Sequence, residues 1–340
     1  MIFALSGSAI LGIAGLGLRR YDPGHRIDLT GADMRVLVLG AGAIGGYFGA
    51  RLAEAGADVT FLVRPQRRKL LAGRGLVVKS PVGDAAVKPA TVLAEEIRSP
   101  YDLVLLTCKA YDLDAAMASI SPAMGPKSAV LPLLNGLVHI ETLVARFGRE
   151  RVLGGSCQIG ATLTPAGEVQ HVSPLATIVF GELDGTRSAR AEAVATELQK
   201  GKFKTVLSTR IVEDLWEKFV LLATLAAMST LTRATIGEMM AAPEGERAML
   251  AMLGESEAVA AAEGHAISAD TQQRMRKMLT ERGSNFTASM RRDMEQGGPT
   301  EGDHVIGDMA RRGEARGVAT PLLRLALCNL QVQDARRLKK

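Results

Sequence analysis

Gly40-Ala-Gly42-Ala-Ile-Gly45 directly follows the apolar run Arg35-Val-Leu-Val-Leu39 and opens an Ala-rich stretch from Ile44 to Ala55, closed by Gly56. A strand, a glycine turn and a helix in that order make a cradle for phosphate. The first glycine permits the tight turn, the second a close backbone approach, and the third close helix–strand packing. The helix start then offers N–H groups that lack intrahelical partners. Gly40, Ala41, Gly42, Ala43, Ile44 and Gly45 are therefore candidate contacts to a dinucleotide. A second apolar run, Val59 to Val63, ends at Arg64, where NAD-selective proteins carry a carboxylate for the ribose 2′-hydroxyl. A guanidinium there suits a 2′-phosphate, so NADP(H) is the expected cofactor. Arg67, Arg68 and Lys69 lie close behind, and for the last two a solvated basic helix face explains the charges equally well.

Proton chemistry has its own candidates. Leu215-Trp216-Glu217-Lys218-Phe219 leads into Val220 to Met228, a stretch without a charge. A helix apolar on all sides is buried, which sets Lys218 at the mouth of a dry region. Apolar surroundings ease proton loss from an ammonium, the property wanted in a general acid at a carbonyl oxygen. A lysine snorkelling to solvent is the plainer alternative. Farther on, Thr300-Glu301 follows Gly297-Gly298-Pro299. This places Glu301 in the first turn of a helix, where a carboxylate also suits the helix dipole.

The elements that must hold these groups follow from pattern. Leu103 to Thr107 and Ala129 to Pro132 read as further buried strands, separated by a helix over Leu113 to Ile120. Strand–helix alternation with short connections predicts an α/β Rossmann-type domain over residues 34–208 with a mostly parallel sheet. Within it, Val152 to Phe180 reads as antiparallel strands at the sheet edge. Strand signals stop near Ser208, and residues 209–336 read as an all-α domain that carries substrate and catalysis. Ahead of Met34, the uncharged run Ile2 to Leu18 followed by Arg19 and Arg20 is either an N-terminal anchor or sequence upstream of the true start at Met34.

Composition narrows the function classes. The 340 residues are 47% hydrophobic and 23% charged, an ordinary globular balance, and the net charge of +5 excludes a polybasic tail. Aromatics at 4% leave little for base stacking, so no nucleic-acid partner is expected. Cys108, Cys157 and Cys328 are too scattered for a disulfide framework, and the five histidines show no ligand spacing, so no metal is expected.

Taken in order, the glycine turn, Cys108-Lys109-Ala-Tyr111, Leu134-Asn135-Gly136, Leu215-Trp216-Glu217-Lys218, Ser289-Met290-x-x-Asp293 and Thr300-Glu301 resemble the ketopantoate reductases from Met34 onward. The resemblance implies reduction of 2-dehydropantoate to pantoate with NADPH, on the route to pantothenate and coenzyme A. It implies Lys218 as the general acid that protonates the developing alkoxide. Glu301 would be the carboxylate that bonds the substrate hydroxyl and also touches the cofactor. Asn135 would stand at the nicotinamide end, reaching both cofactor and substrate, with Lys109 beside the cofactor. Ser289 would contact the substrate carboxylate. Taken singly, Asn135 reads as an Asn-Gly turn and Ser289 as a helix-surface hydroxyl.

One departure stands out. The family's lysine is followed, four and eight residues on, by substrate-binding asparagines, and these substrate positions here are Leu222 and Ala226. Both share the Lys218 face of the helix. Two other readings follow: a related reductase of a less polar 2-oxo acid, or a non-catalytic NADP sensor. A cytoplasmic protein acting on a small 2-oxo acid, off the membrane unless residues 1–33 anchor it, is expected, with a homodimer as one possible assembly.

Overall fold

The computed structural model describes residues 34–339, so the apolar run ahead of Met34 lies outside the described residues. The described chain forms two compact units, one ending at Leu215 and one starting at Trp216. Strands of the first unit are β1 (Val36–Leu39), β2 (Val59–Leu62), β3 (Leu76–Lys79), β4 (Ala85–Val87), β5 (Ala90–Val92), β6 (Tyr101–Leu106), β7 (Met124–Pro132), β8 (Leu153–Leu163), β9 (Val169–Glu182) and β10 (Lys204–Leu207). Its helices are α1 (Ala43–Glu54), α2 (Pro65–Arg74), α3 (Leu113–Ile120), α4 (Val138–Phe147) and α5 (Ala189–Leu198).

Strands β5-β2-β1-β6-β7 form one sheet in that order, with every neighbouring pair parallel. Alternation along the central strands divides the core between the two faces. Val36, Val38, Leu103, Leu105 and Leu131 face α1 through Phe48 and Leu52. Leu37, Val104, Leu106 and Val130 face α3 and α4 through Leu113, Ile120 and Leu143. Strands covered on both faces must be apolar throughout, which is why Val36-Leu-Val carries no polar residue and is fully buried.

The antiparallel pair expected between Val152 and Phe180 exists, running from Leu153 opposite Glu182 to Leu163 opposite Val169. It adjoins the edge strand β7 of the parallel sheet, as expected, through an isolated parallel bridge between Val152 and Val130, but its ladder pairing lies elsewhere. It belongs to a second sheet, ordered β10-β9-β3-β4 with β8 also on β9. The reason is the length of β9. Its C-terminal half pairs β10 at Thr177–Phe180 while its start pairs β3 at Val78–Lys79, so one strand organises three partners.

From Trp216 onward the chain is helical. Helix α6 (Ile211–Thr232) begins before that boundary and is followed by α7 (Ile236–Ala241), α8 (Gly245–Ala262), α9 (Ala269–Leu279) and α10 (Ser289–Glu295). A π turn over Asp303–Gly307 runs into α11 (Asp308–Ala315), and α12 (Pro321–Arg337) ends the unit. Helix α6 is buried from Ala223 to Thr230. Its hydroxyls there are satisfied: Thr224 meets Ser256 Oγ at 3.2 Å and Thr230 donates to the Ala226 carbonyl at 2.7 Å. Among the described residues no helix is long and apolar enough to cross a membrane.

A carboxylate from α8 starts α12. Pro321 opens that helix without a side-chain cap from Thr320, and Glu255 accepts from the Leu322 and Leu323 amides at 2.9 and 3.0 Å. It does the work of an N-cap from another helix. Replacing Glu255 by alanine orphans two amides and is expected to lower unfolding stability by about 1–2 kcal/mol. Equilibrium urea denaturation reads this as a lower midpoint with an unchanged slope.

Candidate active site

Four candidate positions of the first unit lie on one edge of the parallel sheet. Arg64 follows β2, the glycine turn follows β1, Lys109 follows β6 and Asn135 follows β7. Since the strands are parallel and ordered β2-β1-β6-β7, all four positions follow their carboxyl ends, in that sequence. Neighbouring strands sit roughly 4.8 Å apart, so the row is built to take an extended ligand. The β1–β6 boundary, where strand order reverses, is where such sheets bind ligands.

The turn is shaped for a phosphate. Gly40 has φ of 90°, a left-handed backbone that glycine adopts without strain. A Cβ on Gly45 would collide with the Gly40 carbonyl and the Thr107 hydroxyl, so its glycine is a packing requirement. Thr107 Oγ1 also donates to the Leu39 carbonyl at 2.7 Å, tying the ends of β6 and β1 together. Gly42 is different: a Cβ built there meets no protein atom within 4 Å. The start of α1 has no side-chain cap and no acidic residue in its first turn. An open helix N-terminus without a competing carboxylate fits a pyrophosphate.

The four basic residues after β2 separate by environment. Arg64 is 79% exposed and reaches Asp112 at 3.2 Å. Arg68 pairs with Glu96 at 2.6 Å and Lys69 is exposed, as a solvated helix face requires. Arg67 turns inward, donating to the Ala41 carbonyl at 2.6 Å and the Gly167 carbonyl at 2.9 Å. Burial holds its pKa below the ordinary arginine value. Its contact with the turn was not apparent from sequence, although one signal existed: a cation in the first turn of a helix opposes the dipole.

Lys109 is half-buried ahead of the short turn Ala110–Asp112. Asn135 is half-buried, and Gly136 beside it has φ of 84°, so the Asn-Gly turn is real. The turn does not compete with a ligand role, because it is what leads the chain from β7 into α4.

In the helical unit, Lys218 and Leu222 are half-buried and Ala226 is 4% exposed. Their face of α6 continues to the fully buried Ser229, whose hydroxyl accepts from the Ala288 amide at 3.4 Å. That bond docks the residue before Ser289 on the same helix. Ser289 itself is exposed at the first position of α10. Glu301 is buried, 7% exposed. It stands one residue ahead of the first helical turn in which it was expected, as the N-cap of a helix that starts at Gly302. It precedes the π turn, and its carbonyl accepts from the His304 and Val305 amides at 3.1 and 3.0 Å. Gly302 explains the placement, since a Cβ there would lie 2.7 Å from Leu330 of α12. The adjoining Asn329 donates to the Thr230 carbonyl of α6 at 3.2 Å. Helix α12 thus packs against both the Glu301 segment and the far end of the Lys218 helix.

A parallel sheet with a glycine cradle at its switch point, followed by a helical unit, defines a dinucleotide-dependent oxidoreductase. The chain belongs to the ketopantoate reductase family PanE/ApbA: the family's N-terminal model matches residues 36–185 and its C-terminal model residues 210–332. It is accordingly an NAD(P)H-dependent oxidoreductase acting on CH–OH groups. An uncharacterized oxidoreductase of Bacillus subtilis, YkpB, is 35% identical over 304 residues, covering 89% of this chain and 100% of that protein. A 2-dehydropantoate 2-reductase of Halobacterium salinarum is 31% identical over 86% of this chain and 96% of its own length. The crystal structure of a PanE/ApbA family ketopantoate reductase from Ralstonia eutropha superposes with a TM-score of 0.81 at 26% identity, over 90% of this chain and 100% of that one.

Proposed function

We propose that this protein is a cytoplasmic reductase that converts 2-dehydropantoate to pantoate with NADPH, Lys218 acting as the general acid. The observation that carries the reading is the presence, within one helical unit, of a half-buried lysine where α6 enters its buried stretch and a buried carboxylate at Glu301. Cys108, Cys157 and Cys328 form no disulfide with one another, which suits a reducing compartment.

The residues divide the work. The Gly40–Gly45 turn holds the pyrophosphate on backbone N–H groups and Arg64 takes the 2′-phosphate. Lys109 and Asn135 orient the nicotinamide half. When bound, NADPH supplies the hydride to the ketone carbon. Lys218 donates its proton to the carbonyl oxygen as negative charge develops there, so the product leaves as a neutral alcohol. Glu301 accepts a hydrogen bond from a substrate hydroxyl and fixes its orientation, while Ser289 donates to the carboxylate.

The test follows NADPH oxidation at 340 nm with 2-dehydropantoate, using Lys218→Ala as control. Efficient turnover abolished by the substitution supports the reading. Tight NADPH binding without turnover of 2-dehydropantoate rejects this substrate. A second reading is favoured by Leu222 and Ala226, which present carbon where amides would bond a polar substrate. A site that lacks polar partners discriminates poorly in favour of polar groups. It predicts a larger kcat/KM for a 2-oxo acid with an apolar side chain than for 2-dehydropantoate.

A further inference from the structure

Arg67 is the third residue of α2, next to the positive end of that helix, yet its guanidinium is drawn inward. Its two bonds go to neutral backbone carbonyls, Ala41 in the phosphate cradle and Gly167 in the turn between β8 and β9. Its Nε is buried without a hydrogen-bond partner. The site is built around the side chain: Gly167 has φ of 83°, and a Cβ there would lie 2.6 Å from Arg67 Nη1. A cation kept half-buried against the dipole, with one donor unsatisfied, is costly unless its position matters.

We propose that Arg67 is a positioning residue for the cofactor, which holds the Ala41 carbonyl and thereby aims the Gly42 N–H into the phosphate cradle. A trans peptide is planar, and its C=O and N–H point in opposite directions. Anchoring the Ala41 oxygen therefore sets the direction of the Gly42 N–H without any contact between Arg67 and the ligand. Among the glycines of the turn, Gly42 has open space where a Cβ would stand, with no protein atom within 4 Å. A cradle fixed beforehand spends less of the binding energy on ordering. The bridge to Gly167 also makes the second sheet a structural support of the cofactor turn. This inference rests on the turn as the cofactor site and not on the choice between NADPH and NADH.

That independence shapes the test. Dissociation constants for NADPH and for NADH are measured by fluorescence titration of the full chain, with melting temperatures recorded alongside. Arg67→Met is expected to raise both constants by about tenfold with their ratio kept within about twofold, because the pyrophosphate is common to both ligands. Arg67→Lys keeps the charge but cannot span two carbonyls, and recovers only part of the loss. Should Arg67→Met fail to fold, Gly167→Ala crowds Nη1 from the other end and is expected to weaken both ligands with Arg67 still present. A lowered melting temperature with both constants unchanged overturns the proposal. So does a loss confined to NADPH, which would make Arg67 a 2′-phosphate ligand. Arg64→Ala, run in parallel, judges the NADPH reading separately through the ratio.

Discussion

Lys218→Ala is expected to lower kcat by about 10²-fold or more, roughly 2.7 kcal/mol of transition-state stabilisation. Hydride addition to a ketone leaves an alkoxide unless a proton arrives as the charge forms. Lys218 is the proposed donor, and it sits on helix α6, whose stretch from Ala223 to Thr230 is buried in the unit. A methyl group at this position supplies neither proton nor charge. The loss should appear in kcat and kcat/KM together, the signature of an interaction made only in the transition state. NADPH affinity should stay near that of the wild type, since the residues proposed to hold the phosphates follow β1 and β2 in the other unit. A rise in KM with kcat intact would instead make Lys218 a binding residue and remove it from the chemistry.

How much of this was readable beforehand depended on whether a feature was local. The glycine turn was legible because its meaning lies in a strand, a turn and a helix that adjoin in sequence. Helix α3 was expected over Leu113 to Ile120 and has those bounds. The second sheet was not legible. Its strands β3, β4 and β10 have four, three and four residues, too few for alternation to register, and β3 and β10 join β9 across long separations, only β4 pairing locally with β3. Only the long pair β8–β9 announced itself, without β3 and β10 on its far side. The π turn after Glu301 was hidden for a related reason: Gly302 and Leu330 must meet, and sequence spacing says nothing of that contact. Arg67 shows the same limit within a site. In sequence it is one of four basic residues; in the fold it is the one that bonds the turn, because α2 brings its first turn over Ala41.

Arg64→Asp is expected to reverse cofactor preference, raising the dissociation constant for NADPH by about 10²-fold while NADH binds as well as before or better. In the folded chain Arg64 leans on Asp112 at 3.2 Å, with the two side chains 79% and 40% exposed. Exposed ion pairs contribute little, so little is lost when the guanidinium turns to a 2′-phosphate. The substitution acts twice. It removes the charge-assisted donors, and it sets a second carboxylate close to Asp112, where a phosphate bearing nearly two negative charges would have to sit. NADH meets no such penalty, because a carboxylate at the end of β2 can accept from the ribose 2′-hydroxyl. Repulsion between exposed charges is screened, so the NADPH deficit of the variant should shrink as salt is raised, whereas NADH binding changes far less. A wild-type ratio that survives the substitution would place the 2′-phosphate away from β2 and withdraw Arg64 from the site.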